Sequence, residues 1–334
     1  MAGKRQHTVP QFLLRGFESS QNGDGEALVW FYRKGQPGIE TAVKGILLEC
    51  YFYGKPEESD LDARITSLEA SYSALTAQLR LYEGLIPANW KDPVAELVSH
   101  LCVRTRAVRE SVSLALEAQF DGLLERLSRP ETIKAAVDHV LRKRGRTGNL
   151  AQARSELLPA ITAIYIAKLD ELRSGMILPR TKRREAFRAG HIDTLSRNLD
   201  CLARRRTYEG YTWAVVHTEH ELLLGDSVCI FETSGKRRFK PLDDKGDRVR
   251  RIYLPLSAHR LLIGGETVPA TKVEIELIRQ AASFCSWECV VSASPIQQDS
   301  ALLRGMGQWG EVFDDSERES LITNMTRDFV RSLG

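Results

Sequence analysis

Residues 7–17 read His7-Thr-Val-Pro10-Gln-Phe-Leu-Leu14-Arg15-Gly-Phe17. An imidazole that titrates near neutral pH, a backbone-stiffening Pro and a guanidinium lie within nine residues. His7 can act as a general acid or base, and Arg15 can grip a phosphate or carboxylate with two parallel hydrogen bonds. The bland alternatives are a surface or backbone-bonded His7, and an Arg15 paired with Glu18 or Glu49. Arg104 supplies the second argument. If 93–127 is one helix, Val94, Leu97, Leu101, Val108 and Val112 form its apolar face, with Arg104 and Thr105 close to the centre. Arg109 then sits at the edge and Arg106 on the solvated side. A cation against the core must find an anion, because an unpaired buried charge is costly. Glu69 and Asp226 are the protein candidates; a ligand phosphate is the other. His100, one turn earlier, shares the Arg104 face.

Asp226 follows the apolar run Leu222-Leu-Leu224, at a strand end. Such a position delivers a catalytic carboxylate or simply bonds its own turn. Glu69 borders a leucine stripe, where it is either a site acid or a solvated helix residue. Basic clusters recur at 142–146, 182–188, 204–206, 236–240 and 248–251. Residues 182–206 hold eight Lys/Arg against three Asp/Glu, a local excess of +5 on a chain whose formal net charge is only +3. Arg109, Arg183, Arg184, Arg188, Arg205 and Arg237 are the candidates for tracking a nucleic-acid backbone; solvated helix ends and loops are the alternative. The acidic stretch from Glu311 to Glu319 balances them.

The elements that must position these groups follow from spacing. Ala27-Leu-Val-Trp-Phe-Tyr32 is a strand bounded by turn residues, and short extended pieces are expected near Ile46 and Tyr51. Leu61, Ile65, Leu68, Tyr72, Leu75 and Leu79 recur every three or four residues, which makes a helix that Ser59 can cap. Helices are expected over 93–127, from Pro130 to the basic run at 142–148, and over 150–175 and 182–205. Beyond Arg206 strands dominate: 211–216, 222–224, 228–231, 251–254 and 289–292, with a helix at 273–284. The fold class is α+β: a small N-terminal β element, a helical middle about 59–206 and a β-rich part about 207–295. One sheet shared by the two β regions would make 1–315 a single domain, with 316–334 a C-terminal helix.

The opening residues resemble the His-x-x-Pro-x-x-x-Leu-Arg-x-Phe start of the family called domain of unknown function 4238. Arg104-Thr105-x-x-x-Arg109 is similar to that family's Arg-Thr-x-x-x-Arg segment, with Arg106 where Pro is usual. Gly225-Asp226-Ser227 resembles its Ser-Asp-x-Pro, and Pro255-Leu-Ser257 its Pro-Leu-Ser-Pro, each with departures. The family's helix Asn has no counterpart between Val273 and Phe284. The resemblance implies a soluble, mostly prokaryotic protein of unknown activity.

Composition narrows the classes. With 43% hydrophobic and 27% charged residues the chain is an ordinary globular one. No apolar run approaches a membrane span, and the first seven residues lack a signal-peptide core, so the expectation is a cytoplasmic protein. Six scattered cysteines suit a reducing compartment and complete no zinc site. Walker A, Gly-x-Gly-x-x-Gly, His-Glu-x-x-His and Gly-x-Ser-x-Gly motifs are absent, which disfavours the corresponding nucleotide, redox and hydrolase chemistries. Two expectations remain. One is a nuclease or other phosphodiester-acting enzyme, in a defence or toxin-like role, with His7 as acid–base group, Arg15 and Arg104 on the phosphoryl oxygens, and Asp226 and Glu69 orienting His7 or holding Mg²⁺. The other is a non-catalytic module that binds nucleic acid or a protein partner, its His/Arg/Asp cluster serving as a structural network.

Overall fold

The leucine-type stripe of residues 61–79 builds the helix that organises the candidate site. In a computed structural model of the chain, α2 (Leu61–Leu81) buries Leu61, Ile65, Tyr72 and Leu79. A second stripe on α2, at 62, 66, 69, 73, 77 and 80, faces a pocket instead. The structure describes residues 5–55, 60–143, 150–176, 180–199, 201–243, 247–267, 274–298 and 300–332. The expected Ser59 cap, Arg144 and Arg146 of the basic run, Val273 and the side chain of Arg183 lie outside the described residues.

Two compact units divide the chain. The first comprises 1–111 and 188–312. It opens with β1 (Arg5–His7), the short helix α1 (Gln11–Leu14) and a 3-10 turn at Arg15–Phe17. Pro10 starts α1: its carbonyl accepts from the Leu13 and Leu14 amides at 3.1 and 3.3 Å. Leu13, Leu14 and Phe17 are wholly buried, so the opening motif is anchored by its apolar members. Gly16 has a specific duty. A Cβ there would lie 2.2 Å from the Leu256 carbonyl oxygen and 2.6 Å from Arg80 Nη2. Gly16→Ala is therefore expected to cost about 1–3 kcal/mol by overpacking, measured as a lowered urea midpoint at unchanged slope.

β2 (Ser20–Gln21), β3 (Ala27–Arg33), β4 (Ile39–Ala42) and β5 (Leu48–Cys50) follow. β5 pairs antiparallel with β1, setting Gln6 opposite Glu49 and His7 opposite Leu48. β6 (Gly84–Leu85) precedes α3 (Ala88–Val103), and β7 (Thr212–His217), β8 (Leu224–Gly225), β9 (Ile230–Thr233), β10 (Phe239–Lys240), β11 (Val249–Ser257), β12 (Arg260–Gly265) and β13 (Cys289–Ser292) complete the strands. The N- and C-terminal β regions do meet: β13 pairs with β3, within a sheet that also holds β2, β4 and β8. Most C-terminal strands instead form a separate antiparallel sheet ordered β10-β9-β11-β12-β7-β6. The architecture is α+β, with more than one sheet.

The expected helix at 93–127 is two helices. α3 starts earlier, at Ala88, with Pro87 before it and Pro93 inside it, and ends at Val103. α4 (Arg106–Leu127) restarts after Thr105, whose hydroxyl accepts the Val108 amide at 3.2 Å and so caps it. The expected helix at 182–205 also breaks, into α7 (Arg180–Arg197) and α8 (Leu202–Glu209), with Cys201 at the left-handed φ of 46° between them. The second unit comprises 112–187 and 313–334. It contains α5 (Pro130–Lys143), α6 (Leu150–Met176) and α11 (Asp315–Ser332). Leu123, Leu127, Ala136, Tyr165 and Leu169 make its core, and Met325 and Phe329 of α11 pack against them. α9 (Ile275–Phe284) and α10 (Ala301–Arg304) belong to the first unit. Among the described residues no helix is long and apolar enough to cross a membrane.

Candidate active site

The opening motif and α2 face each other across an open pocket of about 510 Å³. His7, Gln11 and Arg15 line one side; Asp62, Glu69 and Arg80 of α2 line the other, with Arg5 and Tyr53 at its margin. β1 holds His7 in place through its neighbours: Gln6 Oε1 accepts the Tyr53 amide at 2.7 Å, the Thr8 amide donates to the Leu47 carbonyl at 2.8 Å, and the Tyr53 hydroxyl donates to the His7 carbonyl at 3.3 Å. The Gln11 side chain joins the two ionisable members of the motif. Its Nε2 lies 2.8 Å from His7 Nε2, and its Oε1 accepts from Arg15 Nη2 at 3.4 Å. With the amide oriented by Arg15, its NH₂ donates and His7 Nε2 accepts, which is the neutral, basic form of the ring. Burial lowers the His7 pKa from its ordinary 6.5, and the charge of Glu69 opposes that shift. Arg15 bonds neither Glu18 nor Glu49; it is exposed and bonded to Gln11.

Arg104 is fully buried, and its partner is Glu69: Nη2 donates to Oε1. The guanidinium also lies 5.9 Å from the Tyr53 ring centroid. The cation thus stands directly behind the pocket wall and fixes the carboxylate that faces His7. Arg109, expected at a helix edge, is buried as well. It donates to Glu49 Oε1 and Oε2 at 2.9 and 2.7 Å and lies 4.4 Å over the Phe52 ring. Arg106 is half-exposed and within 3.5 Å of Glu288. The break at Arg104 turns α4, which brings Arg109 inward where a single continuous helix leaves it at the rim.

Arg80 is a clasp that composition did not single out. Nε donates to the Leu256 carbonyl at 2.8 Å and Nη2 to the Phe12 carbonyl at 2.5 Å, tying α1 to α2 and β11. Burial pulls its pKa down to about 10. Gln11, Glu49, Tyr53 and Arg80 are all uncharged, distant or solitary in sequence. Only Gln11, four residues after His7, lay close enough to His7 to be sought.

A family model described as "Protein of unknown function (DUF4238)" matches residues 5–276. The chain belongs to this family. No curated protein and no solved structure matches it. In this DUF4238 chain the pocket and all its lining residues fall inside the matched span.

Asp226 lies elsewhere. It borders a different pocket, of about 230 Å³, with Arg33 and Arg106. Its Oδ1 accepts the Trp287 amide at 2.7 Å, and Oδ2 accepts those of Glu288 and Cys289 at 2.9 and 3.0 Å. Burial pushes its carboxyl up to about 6, against the pull of these amides. Both oxygens accept from the loop before β13, and His7 is not among the residues lining this pocket. Among the described residues no three His, Cys, Asp or Glu side chains are grouped to hold a metal ion. Asp226→Asn turns an amide NH₂ toward at least one backbone N–H. It is expected to cost about 1–3 kcal/mol of stability, read by thermal or urea denaturation, and to leave the His7 pocket chemically intact.

The remaining arginines do not form one free surface. Arg188 donates to the Tyr51 and Cys50 carbonyls, Arg205 pairs with Asp92, Glu96 and Glu209, and Arg237 Nη2 donates to the Val312 carbonyl at 2.7 Å. Arg184 is exposed on α7.

Proposed function

We propose that the DUF4238 pocket between the opening motif and α2 acts on a phosphodiester, and that His7 is its acid–base residue. The observation that carries this reading is the meeting of His7, Arg15 and Glu69 at one open pocket, with Gln11 bonded to the His7 ring. To take the proton of an attacking water or hydroxyl, the neutral imidazole exchanges its Gln11 contact for that group, because the contact uses the one lone pair of Nε2. The exposed forks of Arg5 and Arg15 suit the charge that grows on phosphoryl oxygens. Glu69 lines the same pocket and its charge favours the protonated ring, so it is placed to stabilise the imidazolium that forms. RNA or DNA is the substrate class, and hydrolysis in a defence or toxin-like setting is the corresponding role. The six cysteines are free thiols, which suits a cytoplasmic location. Mg²⁺ enters this proposal as a test and not as a step.

A second reading has its own support. Arg109, Arg188, Arg205 and Arg237 are engaged within the protein, as a structural polar network requires, which leaves the exposed Arg5 and Arg15 to meet a nucleic acid or a protein partner without turnover. Labelled RNA, single-stranded DNA and duplex DNA, incubated with the protein in Mg²⁺, in Mn²⁺ and in chelator, separate the two. Degradation in any lane supports the enzyme; salt-sensitive binding with no degradation in every lane supports the binding module.

A further inference from the structure

Behind the pocket wall, α2 and α3 enclose polar atoms without partners. Arg104 is 0% exposed and spends Nη2 on Glu69, yet its Nε and Nη1 have no hydrogen-bond partner among the described residues. His100, one helical turn earlier, is 1% exposed, and neither ring nitrogen has one. Thr76 Oγ1, on α2 and 0% exposed, is in the same condition. Tyr72, one turn before Thr76, packs its ring 5.4 Å from that of His100, which joins α2 to α3 at this level. Leaving a buried donor unpaired is costly, and native proteins hold few such groups. Several in one neighbourhood point to a ligand. Their chemistry says which kind: a guanidinium offers only donors, a hydroxyl offers one, and a neutral imidazole offers one.

Glu69 is the movable part. Its side chain keeps 32% of its exposure, against 1% for Arg104, and it touches the guanidinium through a single oxygen. Arginine takes oxyanions best with two parallel bonds. A carboxylate on the pocket wall, held to a buried guanidinium by one contact, is readily exchanged for an anion that makes two.

We propose that Arg104, His100 and Thr76 form a binding site for a tetrahedral oxyanion of the phosphate class, and that Glu69 covers this site until such an anion displaces it. The inference extends the phosphodiester reading by assigning a phosphoryl subsite, but it requires only binding. Titration calorimetry with inorganic phosphate at fixed ionic strength tests it. Glu69→Gln keeps the shape and removes the competing charge, so it is expected to bind phosphate at least about tenfold more tightly than the natural chain. Arg104→Met on the Glu69→Gln background is expected to abolish that gain. Equal affinity in the natural chain and Glu69→Gln overturns the proposal. So does a gain that survives Arg104→Met, because phosphate then sits on Arg15 or Arg5. If Glu69→Gln fails to fold, melting temperatures of the natural chain and His100→Phe in phosphate against chloride decide. A phosphate-specific rise confined to the natural chain supports the site, and equal responses overturn it. Absence of cleavage, by contrast, counts against the phosphodiester reading alone.

Discussion

His7→Gln is expected to lower phosphodiester turnover by about 10²–10⁴-fold while leaving the melting temperature within a few degrees of the natural chain. Gln keeps a hydrogen-bonding end for Gln11 but cannot shuttle a proton. The backbone bonds that fix this segment, from Thr8 to Leu47 and from Tyr53 to Gln6, do not involve the His7 ring. The pH profile gives an independent check. A base works only when deprotonated, and burial lowers the His7 pKa below 6.5. The rising limb of activity should therefore have its midpoint below pH 6.5, with a plateau through neutrality. That limb should vanish from any residual activity of His7→Gln. A limb centred well above pH 7 would assign the base to another group.

The second large effect is an order of stabilities. Arg104 is buried and Glu69 keeps a third of its exposure, so the two ends of the pair are not equivalent. Glu69→Ala leaves a guanidinium out of water with no counter-ion, and about 3–5 kcal/mol of stability is expected to go, toward the lower end because water can enter from the pocket. Arg104→Met replaces the buried charge by an apolar chain of similar length and returns Glu69 to solvent. Its expected cost is smaller, about 2 kcal/mol or less. Urea denaturation of both variants reads the difference directly. If Arg104→Met proves the more damaging, the pair contributes through packing or through cation–π contact with Tyr53 rather than through charge.

Much of this site could be seen in the sequence because the relevant signals are local. His7, Pro10, Leu14, Arg15 and Phe17 lie in one short run whose apolar members dock it. The position of Arg104 on an apolar helix face demanded an anion, and Glu69 was one of two protein candidates. The misreadings have physical causes. A helical wheel registers no break at Arg104-Thr105, since it counts only the spacing of apolar residues; the hydroxyl bond to the Val108 amide decides it. Asp226 resembled a strand-end catalytic acid, but its partners are backbone amides 61 to 63 residues away, which carry no side-chain signature. β12 carries a weak strand signal because it ends in Gly264-Gly265, a pair that favours turns. In the sheet Gly264 lies under the Trp213 ring, where a Cβ would come within 2.3 Å of the indole. A charge count treats the basic clusters as free cations, whereas the fold gives Arg188, Arg205 and Arg237 carboxylate or carbonyl partners.

The most direct measurement is cleavage of labelled RNA and DNA by the natural chain, His7→Gln and Asp226→Asn, run side by side on folded protein. The account expects the natural chain and Asp226→Asn to cleave at similar rates per folded molecule and His7→Gln to be reduced at least about a hundredfold. Cleavage that survives His7→Gln and is lost in Asp226→Asn would contradict it, and would move the chemistry from the His7 pocket to the loop before β13.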